Sequence, residues 1–334
     1  MDSRRPLFVA SAPRTGTTWV AWVLSVAPGV TWINEPDNEW PNVYALKAKR
    51  TLGRFPVLDK GDTAPRDYEQ LWARAFQGFR QSRMLDRVVW RSDRGDRTML
   101  QLWRALCDHA NPEMSRELRL LTALARPPGS KPKPIGGRGY RARAPERVLV
   151  KSVYAPLALE WITARFQPQT VIVLRHPLNV MASWVELMGG GCALDTNPTI
   201  RERFAARWSL PQLDADASRL QRIAWEVGLF LSALHAGIDE HPDWVVVAHE
   251  DLALDPHATF KRLYEDVGLD WTPKTEAFLE ERNRPGVGFK VFRVGSELPE
   301  RWRQRLTKEQ LEEVWSVWSR INAAWVEQAG RDLG

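Results

Sequence analysis

The sequence predicts an α/β fold of three layers, a central parallel sheet flanked by helices. Short apolar runs that read as buried strands recur along the chain, each followed by a helical pattern. Residues 170–174 (TVIVL) are apolar almost throughout, as suits a central parallel strand covered on both faces. Two of these strands also pass into their helices through turns whose chemistry suits an anion, and ligands of open parallel sheets sit at the carboxyl ends of strands.

The first turn organises the rest. Residues 7–12 (LFVASA) read as a strand, Pro13-Arg14-Thr15-Gly16-Thr17-Thr18 as a tight turn, and the residues beyond as a helix. Such a helix points unpaired N–H groups and its positive dipole end at the turn. Gly16 lets the backbone approach an anion, Thr17 and Thr18 add hydroxyls, and Arg14 adds a fixed charge with several donors. The expected ligand is a phosphate or sulfate ester. Val20, Val23, Leu24 and Ala27 recur at helical spacing as a core face, leaving Trp19 beside the ligand. The common nucleotide loop G-x-x-x-x-G-K-[ST] is not matched, because Thr17 stands at its Lys position and Ser11 or Ala12 near its first Gly.

Residues 29–33 read as a second strand, ending on Asn34-Glu35-Pro36-Asp37-Asn38. There Glu35 faces the same crevice, either as a general base or as the tether of a loop. Residues 68–79, 98–109 and 113–126 have helical patterns, whereas 126–147 turn to Pro, Gly, Lys and Arg, a basic loop that is either a solvated linker or a lure for an anionic acceptor. Residues 148–152, containing Lys151, restore a strand, and 157–166 follow as a helix.

The run at 170–174 ends on Arg175-His176-Pro177, with Pro177 suited to the first turn of a helix that reaches about residue 188, before Gly189-Gly190-Gly191. Arg175 at the strand end and Ser183 two turns along can hold a second anion. Residues 200–208 suggest a short helix over the site, and Leu220, Ile223, Val227, Leu231 and Leu234 mark a long one. Residues 244–248 form another strand, ending in His249-Glu250-Asp251. Asp255 caps a helix that Gly268 ends, and Thr307 with Gln310 forms a capping box for a last helix carrying Leu311, Val314, Trp315, Trp318 and Trp325 on one apolar face.

With 334 residues, the chain is long enough for one large α/β domain with an insertion. The expected organisation is one domain over 1–334, with a helical and basic insertion at about 40–147. Apolar content of 44% and charged content of 26% are globular values and exclude wholesale disorder. The net charge of +6 fits a doubly phosphorylated cofactor or an anionic acceptor as well as a polyanion. Cys107 and Cys192 alone imply neither a disulfide framework nor a metal site, which suits a reducing cytoplasm. No run reaches the roughly 20 apolar residues of a membrane span, and the first apolar run is too short for a signal peptide. Nothing in the sequence sets an oligomeric state.

The pair of turns, P-R-T-G-T-T-W and later R-H-P with a Ser eight residues after the Arg, resembles the sulfotransferases that use 3′-phosphoadenosine 5′-phosphosulfate (PAPS). That resemblance implies a P-loop-like fold. It implies that Arg14, Thr15, Gly16, Thr17 and Thr18 bind the 5′ end, that Trp19 stacks on adenine, and that Arg175 and Ser183 hold the 3′-phosphate. VVVAHEDL resembles the family's Y-E-D-[LM] segment, with His249 in place of the Tyr that contacts adenine. FRVGSELPERW is similar to the R-K-G segment, making Arg293 and Gly295 further 3′-phosphate contacts.

The cytosolic branch carries its catalytic His in K-T-H after the third strand, where this chain has Val153. Glu35-Pro36 instead resembles the carbohydrate and bacterial branches, which implies Glu35 as base and Lys151 as a cation near the transferring group. The implied chemistry is sulfuryl transfer to a hydroxyl of a small-molecule or glycan acceptor, with no metal required and the Glu35 pKa raised by a partly desolvated site. A P-loop kinase is the enzyme alternative, but it needs a loop Lys and a strand-end Asp for magnesium. A nucleotide-binding scaffold is a third reading, and a nucleic-acid binder lacks a recognisable module.

Overall fold

A computed structural model describes residues 5–39, 42–80, 140–141, 146–187, 194–282 and 300–332. Its strands are β1 (Leu7–Ala10), β2 (Val30–Asn34), β3 (Phe79–Arg80), β4 (Tyr140–Arg141), β5 (Arg147–Ser152), β6 (Gln169–Leu174) and β7 (Val245–Ala248). β3 and β4 form a small antiparallel pair, and the other five form one sheet in the order β2-β5-β1-β6-β7. Every pairing in that sheet is parallel. The expected α/β architecture is the one observed.

β1 shows why the sheet sits in the middle. All four of its residues are buried, and the two-residue strand period sends Phe8 and Ala10 into one core and Leu7 and Val9 into the other. Phe8 packs edge-on against Trp72 and Phe76 of an amphipathic helix, at centroid distances of 5.4 and 5.7 Å. On the opposite face, the first helix buries Val20, Val23 and Leu24 as its spacing predicts, with Ala27 just beyond.

The helices are α1 (Thr17–Leu24), α2 (Val43–Ala48), α3 (Arg66–Phe76), α4 (Leu159–Phe166), α5 (Pro177–Leu187), α6 (Pro198–Ile200), α7 (Arg219–Glu240), α8 (His249–Leu254), α9 (Pro256–Val267), α10 (Pro273–Arg282), α11 (Lys308–Trp318) and α12 (Ala324–Arg331). Asp255 accepts from Ala258 N–H at the start of α9, Gly268 ends it at φ +66°, and Thr307 and Gln310 make the capping box of α11. The final helix is shorter than its apolar pattern suggests. It closes at Trp318, Asn322 N–H bonds to the Trp208 carbonyl, and Trp325 belongs to a separate helix. It still packs edge-on against Trp318 at 5.2 Å. The patterns at 98–109 and 113–126, and most of the basic loop, lie outside the described residues. Among the described residues, no helix is long and apolar enough to cross a membrane.

β5 lies between β1 and β2, while β6 lies on the other side of β1, so the chain changes direction across β1. Asn34 pairs with Lys151, Ala10 with Ser152 and Leu174 with Ala248, which brings the carboxyl ends of the five strands to one edge. Parallel sheets hold ligands at such an edge.

Candidate active site

The turn after β1 is held on three sides. Ser11 Oγ donates to the Val173 carbonyl (2.6 Å), Thr15 Oγ1 to the Ala12 carbonyl (3.0 Å), and Trp184 Nε1 to the Pro13 carbonyl (3.1 Å). Arg14 (φ +76°) and Gly16 (φ +98°) both take left-handed backbone. Left-handed residues ahead of a helix N-terminus can curl N–H groups inward, a geometry suited to an anion. Thr15 and Thr17 are both buried, and Thr15 commits its hydroxyl to a bond within the turn.

Gly16 is required for its conformation and for the space it leaves. A Cβ there would stand 2.2 Å from His249 Cδ2. The imidazole has little room to yield, because Trp19 stands edge-on to it at 5.9 Å and to Phe260 at 5.2 Å. Gly16→Ala is expected to destabilise the protein by about 1–3 kcal/mol and to abolish nucleotide binding, since its strain falls on the turn itself. Thermal unfolding and titration calorimetry on the same preparation check both effects.

His249 is drawn down to about 3, first by burial and then by the charge of Arg175. The imidazole is therefore neutral at physiological pH. Below its ordinary value of 6.5 the unfolded chain takes a proton that the native state refuses, so stability present above that pH is lost as pH falls towards 3. The loss is about 1.4 kcal/mol per pH unit. Denaturant unfolding across that range should show a shallower acid slope in His249→Gln than in the wild type. An unchanged slope contradicts the buried neutral histidine.

Arg175, at the end of β6, donates NH1 to the Arg14 carbonyl at 2.9 Å, while its Nε is buried with no hydrogen-bond partner among the described residues. Burial draws its pKa down to about 10; Glu250 opposes the shift, and Arg14, Arg305 and Arg301 add to it by repulsion. Arg14 Nε donates to Ser183 Oγ at 3.0 Å, so the first turn also touches α5. Glu250 accepts the His176 N–H at 3.0 Å, and Arg305 is paired with Glu186 of α5. A crowd of partly buried guanidinium groups with an orphaned donor suits an anion. Arg293 and Gly295 lie outside the described residues; the sequence reading missed Arg301 and Arg305, which carry the same charge in a stretch of little regular pattern.

On the other side of β1, the chain leaving β2 brings Glu35 to the end of β5. Glu35 N–H donates to the Lys151 carbonyl at 2.7 Å, Lys151 Nζ donates to Glu35 Oε1, and Asn38 Nδ2 donates to Glu35 Oε2 at 2.7 Å. Lys151 is 1% exposed. The expectation of a raised Glu35 pKa needs correction. Burial does push the carboxyl up, but the charge and hydrogen bond of Lys151, the Asn38 bond and the charge of Arg54 together leave it below its ordinary value. Asn38 is visible in the sequence as the third residue after Glu35; Arg54 has no such signal.

Arg201 and Ala205, in the short helical run expected over the site, line a cavity of about 640 Å³ with Asp195, Gln212, Arg222 and Trp225. None of the strand-end residues described above lines it. Among the described residues there is no cluster of His, Cys, Asp and Glu able to hold a metal ion.

The sulfotransferase family model matches residues 6–273. The chain belongs to the sulfotransferase family. This sulfotransferase is similar to the solved sulfotransferase domain from the curacin biosynthetic pathway, with 13% identity over 95% of this chain and 98% of that one, at a TM-score of 0.44. It is likewise similar to mouse sulfotransferase SULT7A1, solved in complex with PAP (11% identity, 98% and 88% covered, TM-score 0.41). A third similar structure is sulfotransferase STF9 from Mycobacterium avium (16% identity, 95% and 76% covered, TM-score 0.40). No curated protein matches the sequence.

Proposed function

We propose that this sulfotransferase moves a sulfuryl group from PAPS to a hydroxyl of a small-molecule or glycan acceptor. The reading is carried by the division of the strand-end edge. Arg14 and Arg175, with Arg301 and Arg305 close enough to repel Arg175, make a cationic side, and the Glu35–Lys151 pair makes a catalytic side across β1. Gly16, Thr17 and Thr18 would hold the 5′ end, Thr15 would shape their turn, and Arg175 and Ser183 would hold the 3′-phosphate. Trp19 and His249 would stand at the adenine, and Arg293 and Gly295 would extend the 3′ contacts.

In that scheme the acceptor oxygen forms a bond to sulfur as the bond from sulfur to the phosphate oxygen breaks. The bonding pair leaves with the phosphate, and the acceptor proton passes to Glu35. Arg14, Lys151 and the start of α1 stabilise the charge that grows on the leaving oxygens. Lys151 serves two partners in turn. Once it bonds to the donor, Glu35 loses a main counterweight to burial and becomes the stronger base that the chemistry needs.

A P-loop kinase fits less well, since the loop has no Lys and β6 ends on Arg175 where magnesium would need a carboxylate. Titration calorimetry with 3′-phosphoadenosine 5′-phosphate (PAP), ADP and ATP tests the choice. Tight binding that requires the 3′-phosphate supports the proposal, and preference for ATP sinks it.

A further inference from the structure

Behind the Glu35–Lys151 pair lies a second, fully buried contact between the same two segments. Ser152, next to Lys151, places its Oγ 2.7 and 2.8 Å from the two carboxylate oxygens of Asp37, two residues after Glu35. Asp37 has no exposed surface, and Ser152 Oγ also accepts the Tyr154 N–H at 3.0 Å. A buried carboxylate is costly, and the proposed reaction does not use this one as acid or base.

Its surroundings show what it holds. Glu35 is in left-handed backbone at φ +45°, which a residue with a side chain adopts only when the structure around it insists. Asn38 N–H closes the turn onto the Glu35 carbonyl at 3.1 Å, Asn42 Nδ2 donates to the Pro36 carbonyl at 2.6 Å, and Lys49 Nζ to the Asp37 carbonyl at 3.0 Å. These three bonds shape the turn or tie it to α2. To β5 the turn is tied by the Glu35 N–H bond to the Lys151 carbonyl, by the Lys151–Glu35 pair itself and, as a second and fully buried side-chain bond, by Asp37–Ser152.

We propose that Asp37 is a positioning residue that, through Ser152, holds Glu35 in register with Lys151. The inference rests on Glu35 being the base. The groups facing Asp37 are Ser152 from β5, Lys49 from the end of α2, Tyr68 from α3, and Glu35 and Glu39 from its own segment. Burial lifts Asp37 to about 6, with Glu39 and Glu35 adding to the rise and Lys49 and Ser152 opposing it.

The test uses Asp37→Ala, Ser152→Ala and their double mutant, each also in a Glu35→Gln background. Turnover is followed as ³⁵S transfer from PAPS to 4-nitrophenyl glycosides, with hydrolysis of PAPS by water as reference, and PAP affinity by calorimetry. Each single substitution is expected to lower kcat about 10²-fold with PAP affinity kept, because a small misplacement of the base costs that much. The double mutant should be no slower than either single, and Glu35→Gln should mask all three. Weakened PAP binding, or an equal loss in the Glu35→Gln background, overturns the proposal.

A second measurement needs no acceptor. In protein labelled with ¹³C-glutamate and assigned through Glu35→Gln, Ser152→Ala, which keeps the Asp37 carboxyl in place, should raise the Glu35 carboxyl pKa, because Lys151 no longer meets it. An unmoved pKa overturns the positioning role. If Glu35→Gln instead turns over like the wild type, Glu35 fails as base, and the NMR titration still decides whether Asp37 positions it.

Discussion

Replacing Glu35 by glutamine is expected to lower sulfuryl transfer by about 10²–10⁴-fold, the range that a positioned general base contributes. The amide keeps the shape and can still accept from Lys151 Nζ, but it cannot take the acceptor proton. PAP affinity should not change, since the cationic groups around Arg175 lie across β1 from Glu35. The substitution also leaves Lys151, 1% exposed, without its counter-ion. Removing one partner of a buried pair costs about 3–5 kcal/mol, so thermal unfolding must accompany the kinetics. A drop in kcat below the melting transition with PAP binding intact supports the base. Parallel losses of turnover and PAP affinity would show that Glu35 only shapes the pocket.

Arg175→Ala is expected to weaken PAP binding by about 10–100-fold, from the loss of hydrogen bonds to a charged phosphate. AMP, which lacks the 3′-phosphate, should bind both proteins alike, so the mutant loses its preference between the two nucleotides. The free protein should not become less stable. Arg175 has a buried Nε without a partner among the described residues and stands against the charges of Arg14, Arg305 and Arg301, so its removal relieves desolvation and repulsion while giving up the attraction of Glu250 and one bond to the Arg14 carbonyl. Calorimetry with PAP and AMP, beside thermal unfolding without ligand, checks both statements. An equal loss for both nucleotides would move Arg175 away from the 3′-phosphate.

The sequence by itself determined most of the strands of the main sheet and many of the helix ends. The strand and helix around Gly16, the strand that stops at Arg175, the Asp255 and Gly268 caps and the Thr307–Gln310 box all depend on residues a few positions apart. Backbone propensity, side-chain period and capping act over that range. Even there, Trp325 left its expected helix, which closes at Trp318 with the tighter bonds of Arg320 and Ile321 while the Asn322 N–H goes to the distant carbonyl of Trp208.

Only the tertiary structure decided which charges meet. Lys151 reaches Glu35 across 116 positions, Arg14 reaches Ser183 across 169, and Ser152 reaches Asp37 across 115. His249 fills the space that a glycine at 16 leaves. These meetings also set the protonation of the site, holding Glu35 low where burial alone would raise it and keeping His249 neutral. The physical reason is that a pKa depends on burial and on the charge a few ångströms away. Both are fixed by strand order and register, which bring to one edge residues that the chain keeps far apart.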